Sequence, residues 1–125
     1  MSADHSPLST QPLTPAVFHI LLALSDGEKH GYAIMKDVEN QTDGRVKMGP
    51  GTLYGSIKRM LAAGLIREVD ERPDPELDDE RRRYYRLTGV GQSVVSAESQ
   101  RLEKAVNAAR QKRVLPGSPI AEVRS

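Results

Sequence analysis

The side chains with the clearest binding chemistry lie in residues 45–60, a stretch that contains no acid. Its cations are Arg45, Lys47, Lys58 and Arg59, and its hydroxyl groups include those of Thr52 and Tyr54. Ammonium, guanidinium and hydroxyl groups all donate hydrogen bonds to phosphate and carboxylate oxygens. Three glycines, at positions 49, 51 and 55, would let a partner approach the backbone closely. The stretch is therefore suited to an anionic partner.

A helix is expected to position these groups. Pro50 suits the first helical position, Gly49 the N-cap and Gly64 the end of the helix. At about 100° per residue, one stripe is apolar and must face the core; it contains Leu53, Ile57, Met60, Leu61 and Gly64. The opposite stripe contains Gly51, Gly55, Lys58 and Ala62, and it is flanked by Thr52, Tyr54 and Arg59. The free N–H groups of the first turn form an anion site. This outward face suits a DNA groove; the alternative is an ordinary surface helix.

Two segments with strand character follow this helix, at 65–70 and 83–88. A polar, acid-rich loop joins them and ends in Arg81, Arg82 and Arg83. A helix followed by two strands and a charged loop indicates the recognition helix and wing of a winged helix-turn-helix. The three arginines would hold the wing near the DNA backbone or minor groove, although Arg83 could equally pair with Glu68 across the strands. At least one ring of the pair Tyr84 and Tyr85 is expected beneath the wing.

The remaining apolar periodicity predicts three further helices. The first covers about 15–25, is capped by Thr14, and buries Val17, Ile20, Leu21 and Leu24. The second covers about 31–41 and begins after His30, with Ala33, Ile34, Val38 and Tyr32 as candidates for the core. The last begins near Thr88 and ends before Pro116.

The last helix carries a narrow apolar seam. Val95, Leu102 and Ala109 recur every seven residues, with Val106 beside them, as in a helix that pairs with another helix. A domain this small can hardly bury the seam alone. We therefore expect a two-fold homodimer through Val95, Leu102, Val106 and Ala109; the alternative is a helix that lies back on its own domain.

Composition limits the other function classes. The chain has 125 residues, 38% of them hydrophobic, a net charge of +1 and no cysteine. Thiolate metal sites and disulfides are thereby excluded, and the spacing of the three histidines suggests neither a metal site nor a catalytic base. No apolar run approaches the ~20 residues of a membrane span. We expect a cytoplasmic protein that is not an enzyme and needs no cofactor. Its expected parts are a disordered tail at 1–12, a winged domain at 13–88, a dimerisation helix at 89–115 and a second disordered tail at 116–125.

Five ordered motifs resemble those of the PadR family of bacterial transcriptional regulators. They are LTPAVFHILLAL at 13–24, HGYAI at 30–34, GPGTLY at 49–54, AGLI at 63–66 and YYRLTGVG at 84–91. The resemblance covers roughly residues 13 to 113. It implies a mainly α fold with a small β-wing, a C-terminal dimerisation helix, and repression that a small molecule relieves. Two features depart from the family pattern. Gly49 stands where many relatives carry a serine cap, and the acid-rich wing at 70–80 is long, which bears on whether the wing contacts DNA.

Two functions of different class follow. The first is a dimeric repressor that binds a roughly palindromic operator in double-stranded DNA, with Lys47, Gly51, Thr52, Tyr54, Lys58, Arg59, Arg81, Arg82 and Arg83 as candidate contacts. A small-molecule effector would have Phe18, Tyr32 and the last helix as possible pocket walls. The second is a winged-helix module that binds another protein and has little affinity for DNA, which the near-neutral charge and acidic wing favour.

Overall fold

The computed structural model describes residues 13–69 and 83–116. Four helices and three strands follow one another: α1 (Pro15–Ala23), β1 (Lys29–His30), α2 (Gly31–Gln41), α3 (Pro50–Ala62), β2 (Ile66–Val69), β3 (Tyr84–Leu87) and α4 (Gly89–Gln111). The expected mainly α fold with a small wing is confirmed. The α1 helix ends at Ala23 rather than at residue 25, because the chain tightens into a 3₁₀ turn over Leu24–Asp26.

Side chains next to each helix decide where it begins. The Val17 N–H donates to Thr14 Oγ1 at 3.2 Å, which satisfies a free donor of the first turn of α1. The Ala33 N–H donates to Nδ1 of His30 at 3.2 Å, so the histidine before α2 is a cap. Gly49 precedes α3 and offers no side-chain cap, which leaves the first turn of α3 bare.

The sheet has one strand that the sequence did not predict. Its order is β1-β3-β2, with both pairs antiparallel. The β1 strand has two residues, with Lys29 opposite Tyr85 and His30 opposite Tyr84. Two residues are too few to show the alternation of apolar and polar side chains by which a strand is predicted. In the other pair, Glu68 lies opposite Tyr85. Burial of the Tyr85 ring confirms the prediction that one tyrosine of the pair packs beneath the wing.

The core forms where the inward stripes of α1, α2 and α3 meet the sheet. Its fully buried side chains include Ile20, Leu21, Ile34, Val38, Leu53, Ile57, Met60, Leu65 and Ile66. The prediction that Tyr32 belongs to the core is wrong, because 59% of its surface is exposed. Ile34 and Val38 already supply the inward stripe of α2, and Tyr32 lies outside that stripe.

Lys29 ties the end of α1 to the start of α2. Its Nζ donates to the Ala23 carbonyl at 2.7 Å, pairs with Asp26, and lies 3.4 Å from Asp37 Oδ2. The hydrogen bond from Lys29 lowers the pKa of the Asp26 carboxyl, and the charge of the ammonium group adds to the shift. One cation thus satisfies a helix-end carbonyl and two carboxylates, and it is not available to an external anion.

The start of α4 belongs to the winged domain. Val94 and Val95 lie in the core cluster, and the chain divides into two compact units after Val95, inside α4 rather than at residue 88. Val95 is 3% exposed, so its assignment to a seam left open for a partner is wrong: this side chain packs within its own protomer. The first turn of α4 packs closely against the residue that precedes β2, since a Cβ on Gly91 would lie 2.0 Å from the Leu65 carbonyl oxygen.

The second unit begins at Ser96 and contains the rest of α4. Glu98 pairs with Arg101 one turn later, with 2.6 Å between Oε2 and Nη2. Leu102 and Val106 are each 37% exposed, and Ala109 is half-buried. Just beyond the end of the helix, Arg113 adopts the left-handed region at φ 64°, and the Val114 N–H donates to the Ala109 carbonyl at 2.9 Å.

Several expectations fall on residues outside the described ranges. These are the two predicted disordered tails, apart from Pro116, the acid-rich wing loop, and the candidate DNA contacts Arg81 and Arg82. Among the helices that are described, none combines the length and the apolar character that crossing a membrane requires.

Candidate nucleic-acid interface

The outward face of α3 lies where helical rotation predicted it. Thr52, Lys58 and Arg59 are exposed, while Leu53, Ile57 and Met60 are buried. Ser56 is also buried, and its Oγ accepts a hydrogen bond from Arg59 Nη2 at 3.2 Å. The guanidinium of Arg59 is therefore held along the helix by a serine that the sequence did not single out.

The glycines of this face are not required by packing inside the chain. A Cβ built on Gly49 or Gly51 would meet no atom within 4 Å, and one on Gly55 would meet only Arg59 Nη1 at 3.8 Å. The backbone of Gly49, at φ −77°, is accessible to any residue. Glycine in a helix interior costs about 1 kcal/mol relative to alanine. Gly55 therefore lowers the stability of the helix although no contact within the described residues requires a glycine there.

The cations around this face have no carboxylate partner among the described residues. Arg45, Lys47 and Lys58 are exposed and form no ion pair there. By contrast, Lys29, Arg83 and Arg101 each pair with an acid. Unpaired positive charge thus collects at the two ends of α3 and in the segment before it, as a phosphate-binding surface requires.

Tyr54 is not a simple surface residue, because it packs against the core of the domain. Its ring is half-buried and packs against the start of α2: a Cβ on Gly31 would lie 2.2 Å from its hydroxyl oxygen. Replacing Tyr54 by alanine would therefore remove packing against the core as well as any contact with DNA. A direct contact between the Tyr54 hydroxyl and DNA stays a prediction.

Arg83 pairs with Glu68, which was the alternative to a DNA contact in the sequence analysis. Its Nε lies 3.6 Å from Glu68 Oε2, and both side chains are partly exposed. Beneath this pair, burial raises the pKa of the Tyr85 phenol, and the nearby Glu68 carboxylate raises it further. The base of the wing is thus held by an ion pair over a buried neutral ring.

Three exposed cations, Arg67, Arg86 and Lys36, were missed by sequence reasoning, and exposed Tyr32 was assigned to the core instead. Arg67 and Arg86 lie directly opposite each other on β2 and β3, although like charges at such positions disfavour strand pairing. Tyr32 and Lys36 lie one turn apart on α2, with Lys36 Nζ 5.9 Å from the ring centroid. Their positions follow from the pairing of β2 with β3 and from the orientation of α2, neither of which the sequence pattern gives.

The described histidines are used structurally. His30 caps α2, and His19 Nδ1 lies 3.1 Å from Nε2 of Gln41. Partial burial lowers the pKa of His19, which favours its neutral form. Across 13–69 and 83–116 there is no group of three histidine, cysteine or acidic side chains that could hold a metal ion.

Known proteins resemble this chain in sequence. A transcriptional regulator of Mycobacterium tuberculosis is 31% identical over 86 residues, which cover 69% of this chain and 74% of the relative. An uncharacterized 37.1 kDa protein in transposon TN4556 of Streptomyces fradiae is 38% identical over 80 residues, 64% of this chain but only 21% of the relative. The chain therefore spans about a fifth of the longer protein.

Solved structures share the fold at lower identity. A PadR family transcription regulator from hypervirulent Clostridium difficile R20291 superposes with a TM-score of 0.64 at 23% identity, over 78% of this chain and 97% of that one. Bacillus subtilis PadR, in a complex with operator DNA, gives a TM-score of 0.55 at 21% identity, over 65% of this chain and 44% of that one. Residues 20–97 match the transcriptional regulator PadR-like family itself. That match covers both the helix-turn-helix and the wing described above, so the chain belongs to the PadR-like family of transcriptional regulators.

Proposed function

We propose that this protein is a sequence-specific DNA-binding regulator that inserts the outward face of α3 into the major groove. The observation that carries the proposal is the combination on α3 of exposed cations with two glycines that packing does not require. A Cβ on Gly51 would meet nothing within 4 Å, and one on Gly55 would meet only Arg59 Nη1. A DNA duplex would supply phosphates as partners for the cations and a surface that can approach the helix closely at the glycines. Bacillus subtilis PadR, which shares the fold, was crystallised with operator DNA and supports the choice of partner.

Binding should be dominated by phosphate contacts from the candidate residues. The bare N–H groups of the first turn of α3, with Lys47 just before it, would hold one phosphate. Lys58 and Arg59 would reach a second phosphate or a base edge from the C-terminal half of the helix. Arg81 and Arg82 of the wing are further candidates, whereas Arg83 would have to exchange Glu68 for DNA.

Lys58→Ala tests the proposed face. Lys58 is exposed and has no ion pair within the described residues, so its loss should weaken binding without lowering the free energy of unfolding. We expect binding to a duplex selected from a random pool to weaken roughly tenfold, with a shallower dependence of log affinity on log salt. Fluorescence anisotropy measures both quantities. Lys104→Ala, on the exposed surface of α4, is the matched control; equal behaviour of the two variants would mean that the wrong face was chosen.

We further propose that two protomers associate through the second unit. Leu102 and Val106 share one side of α4 and are left partly exposed, as the seam of a helix pair would be in an isolated protomer. Two winged domains on a two-fold axis would read half-sites about one helical turn apart. The roughly palindromic operator is part of this proposal.

Leu102→Glu should separate the protomers. A carboxylate in an apolar helix seam loses its hydration without gaining a partner, so the dimer dissociation constant should rise at least about 100-fold. Sedimentation velocity should then give the mass of a monomer where the unaltered protein gives a dimer. Gln100→Glu adds the same charge on another side of α4 and should leave the dimer intact. A wild-type protein that sediments as a monomer at micromolar concentration would refute this proposal.

Repression, release by a small molecule and a cytoplasmic location belong to the same proposal. A dimer that covers its operator excludes other proteins from that DNA. An effector could release it only by binding the DNA-free state more tightly than the bound state. Transcription in vitro from a promoter with the selected site should fall when the protein is added.

The second function, a module that binds another protein, has one observation in its favour. The net charge is only +1, with many acids in the wing loop. Salt dependence separates the two functions, because phosphate contacts make log affinity fall steeply with log salt and a protein interface need not show this. A weak, salt-insensitive interaction with every duplex would favour the module.

A further inference from the structure

The Arg59 side chain reaches back along α3 toward the start of the helix. Its Nη2 donates to Oγ of Ser56, one turn earlier, at 3.2 Å. Its Nη1 lies beside Gly55, 3.8 Å from the place that a Cβ on this glycine would take. The guanidinium group therefore lies near the middle of the outward face, although Arg59 belongs to the last turn of the helix. A cation that only stabilised the helix end would lie by the last carbonyl groups instead.

Ser56 supplies a polar atom from a buried position. It is 1% exposed, so an alanine would fill its place equally well, and a buried hydroxyl group lowers stability unless it forms a hydrogen bond. The bond that Ser56 accepts comes from an exposed side chain, that of Arg59. Ser56 thus links a fixed position in the domain to the orientation of an exposed guanidinium group.

The bond to Ser56 leaves most of the guanidinium group available to a partner. Of its five coplanar N–H groups, only one on Nη2 is used. Arg59 forms no ion pair with an acid in residues 13–69 and 83–116. Two parallel N–H groups of an arginine match the N7 and O6 acceptors of guanine in the major groove, provided that the plane is correctly oriented. An arginine held at one end is suited to such a contact.

The neighbouring Lys58 has no such constraint. It is exposed, and within the part of the chain that the structure describes its ammonium group has no ion-pair partner. An ammonium group on a flexible stem acts as a point charge and can approach phosphate oxygens from many directions. The two adjacent cations of α3 therefore differ, because one is oriented by the helix and the other is not.

We propose that Ser56 positions Arg59 to bind a guanine of the operator in the major groove, whereas Lys58 binds the phosphate backbone. This inference rests on the proposed function and names the residue pair that gives α3 its sequence preference. Ser56 is a positioning residue, because it is buried and acts only through Arg59. Each half-site of the operator should then contain one guanine that Arg59 requires.

Replacing guanines one at a time locates the base. The probe is a duplex selected from a random pool, and each of its guanines is exchanged in turn for 7-deazaguanine, which lacks the N7 acceptor. Fluorescence anisotropy should show one sensitive guanine in each half-site, with affinity for the unaltered protein falling about fivefold. Arg59→Ala should weaken binding to the selected duplex about tenfold or more, and this variant should be insensitive to the exchange at that guanine.

Ser56→Ala tests the positioning role. The change removes the acceptor and adds no atom, so the fold should persist. Affinity for the selected duplex should fall about threefold and the response to 7-deazaguanine should shrink, with affinity for a scrambled duplex unchanged. In the Arg59→Ala background the same change should have no further effect. Ser96→Ala is the matched control, because Ser96 Oγ accepts from Gln100 Nε2 at 3.2 Å on α4, outside the proposed face.

The contrary outcomes separate this inference from the proposed function. If Arg59→Ala weakens binding equally to the selected and the scrambled duplex, as expected for Lys58→Ala, Arg59 binds phosphate and the guanine contact is refuted while the α3 surface stands. If Ser56→Ala has the same effect with and without Arg59, its role is structural and the positioning claim is wrong. Failure of the unaltered protein to bind any duplex would overturn this inference and the proposed function together.

Discussion

Gly91→Ala should lower the stability of this protein more than any exposed substitution discussed above. The added Cβ would lie 2.0 Å from the backbone oxygen of Leu65 and 3.1 Å from Cδ2 of Leu87. A carbonyl oxygen cannot move aside as the end of a side chain can. The same oxygen accepts the Thr88 N–H at 3.1 Å, so displacing it would also weaken the hydrogen bond between the residue before β2 and the residue before α4. We expect a loss of about 3 kcal/mol in the free energy of unfolding.

Thermal and urea unfolding measure this loss directly. For a domain of this size the melting temperature should fall by roughly 10 °C or more. Gly89→Ala is a closely matched control, because Gly89 belongs to the same first turn of α4 and a Cβ there would meet nothing within 4 Å. That variant should be neutral or slightly more stable. Equal melting temperatures for the two variants would show that Gly91 does not pack against the Leu65 carbonyl as described.

The double change of Gly51 and Gly55 to alanine should stabilise the protein and impair DNA binding at the same time. Alanine is favoured over glycine in a helix by about 1 kcal/mol at an interior position, and space is open at Gly51 and nearly so at Gly55. Interfaces pack about as densely as protein interiors, so extra methyl groups against a groove should cost about 1–3 kcal/mol. That cost corresponds to a loss of roughly fivefold to 150-fold in affinity.

Opposite signs for stability and binding make this result diagnostic. Unfolding in urea gives the gain in stability, and anisotropy with the selected duplex gives the loss in affinity. Gly89→Ala again serves as the control, since it adds a methyl group to an open helical position outside α3. A double variant that binds as tightly as the unaltered protein would show that nothing approaches this face closely.

Much of the fold follows from local signals in the sequence. Thr14 and Gly49-Pro50 place the starts of α1 and α3, because capping and the fixed backbone of proline act over one turn. Gly64, at φ 77°, reverses the chain after α3 as expected. The rotation of α3 was also predictable, since Leu53, Ile57 and Met60 repeat at helical spacing and must all reach one core.

The features that were missed depend on contacts between segments distant in sequence. The β1 strand exists because Lys29 and His30 lie beside β3. A segment of two residues is too short to show this pairing in its sequence pattern. Val95 looks like a seam residue by its spacing, yet the first turns of α4 complete the core. Tyr54 looks like a surface residue beside Lys58 until the approach of Gly31 is known. The outward face of α3 was predictable, whereas the exposure of Tyr32 was not, because its ring has an apolar body that suits a core equally well.

Hydroxyl-radical footprinting of the unaltered protein on its selected duplex tests the central claim most directly. Two copies of the α3 face, related by a two-fold axis, should protect two matching patches of backbone centred about 10 base pairs apart. A single unpaired patch, or no protection at low salt, would contradict the account of a dimer that presents α3 twice to DNA.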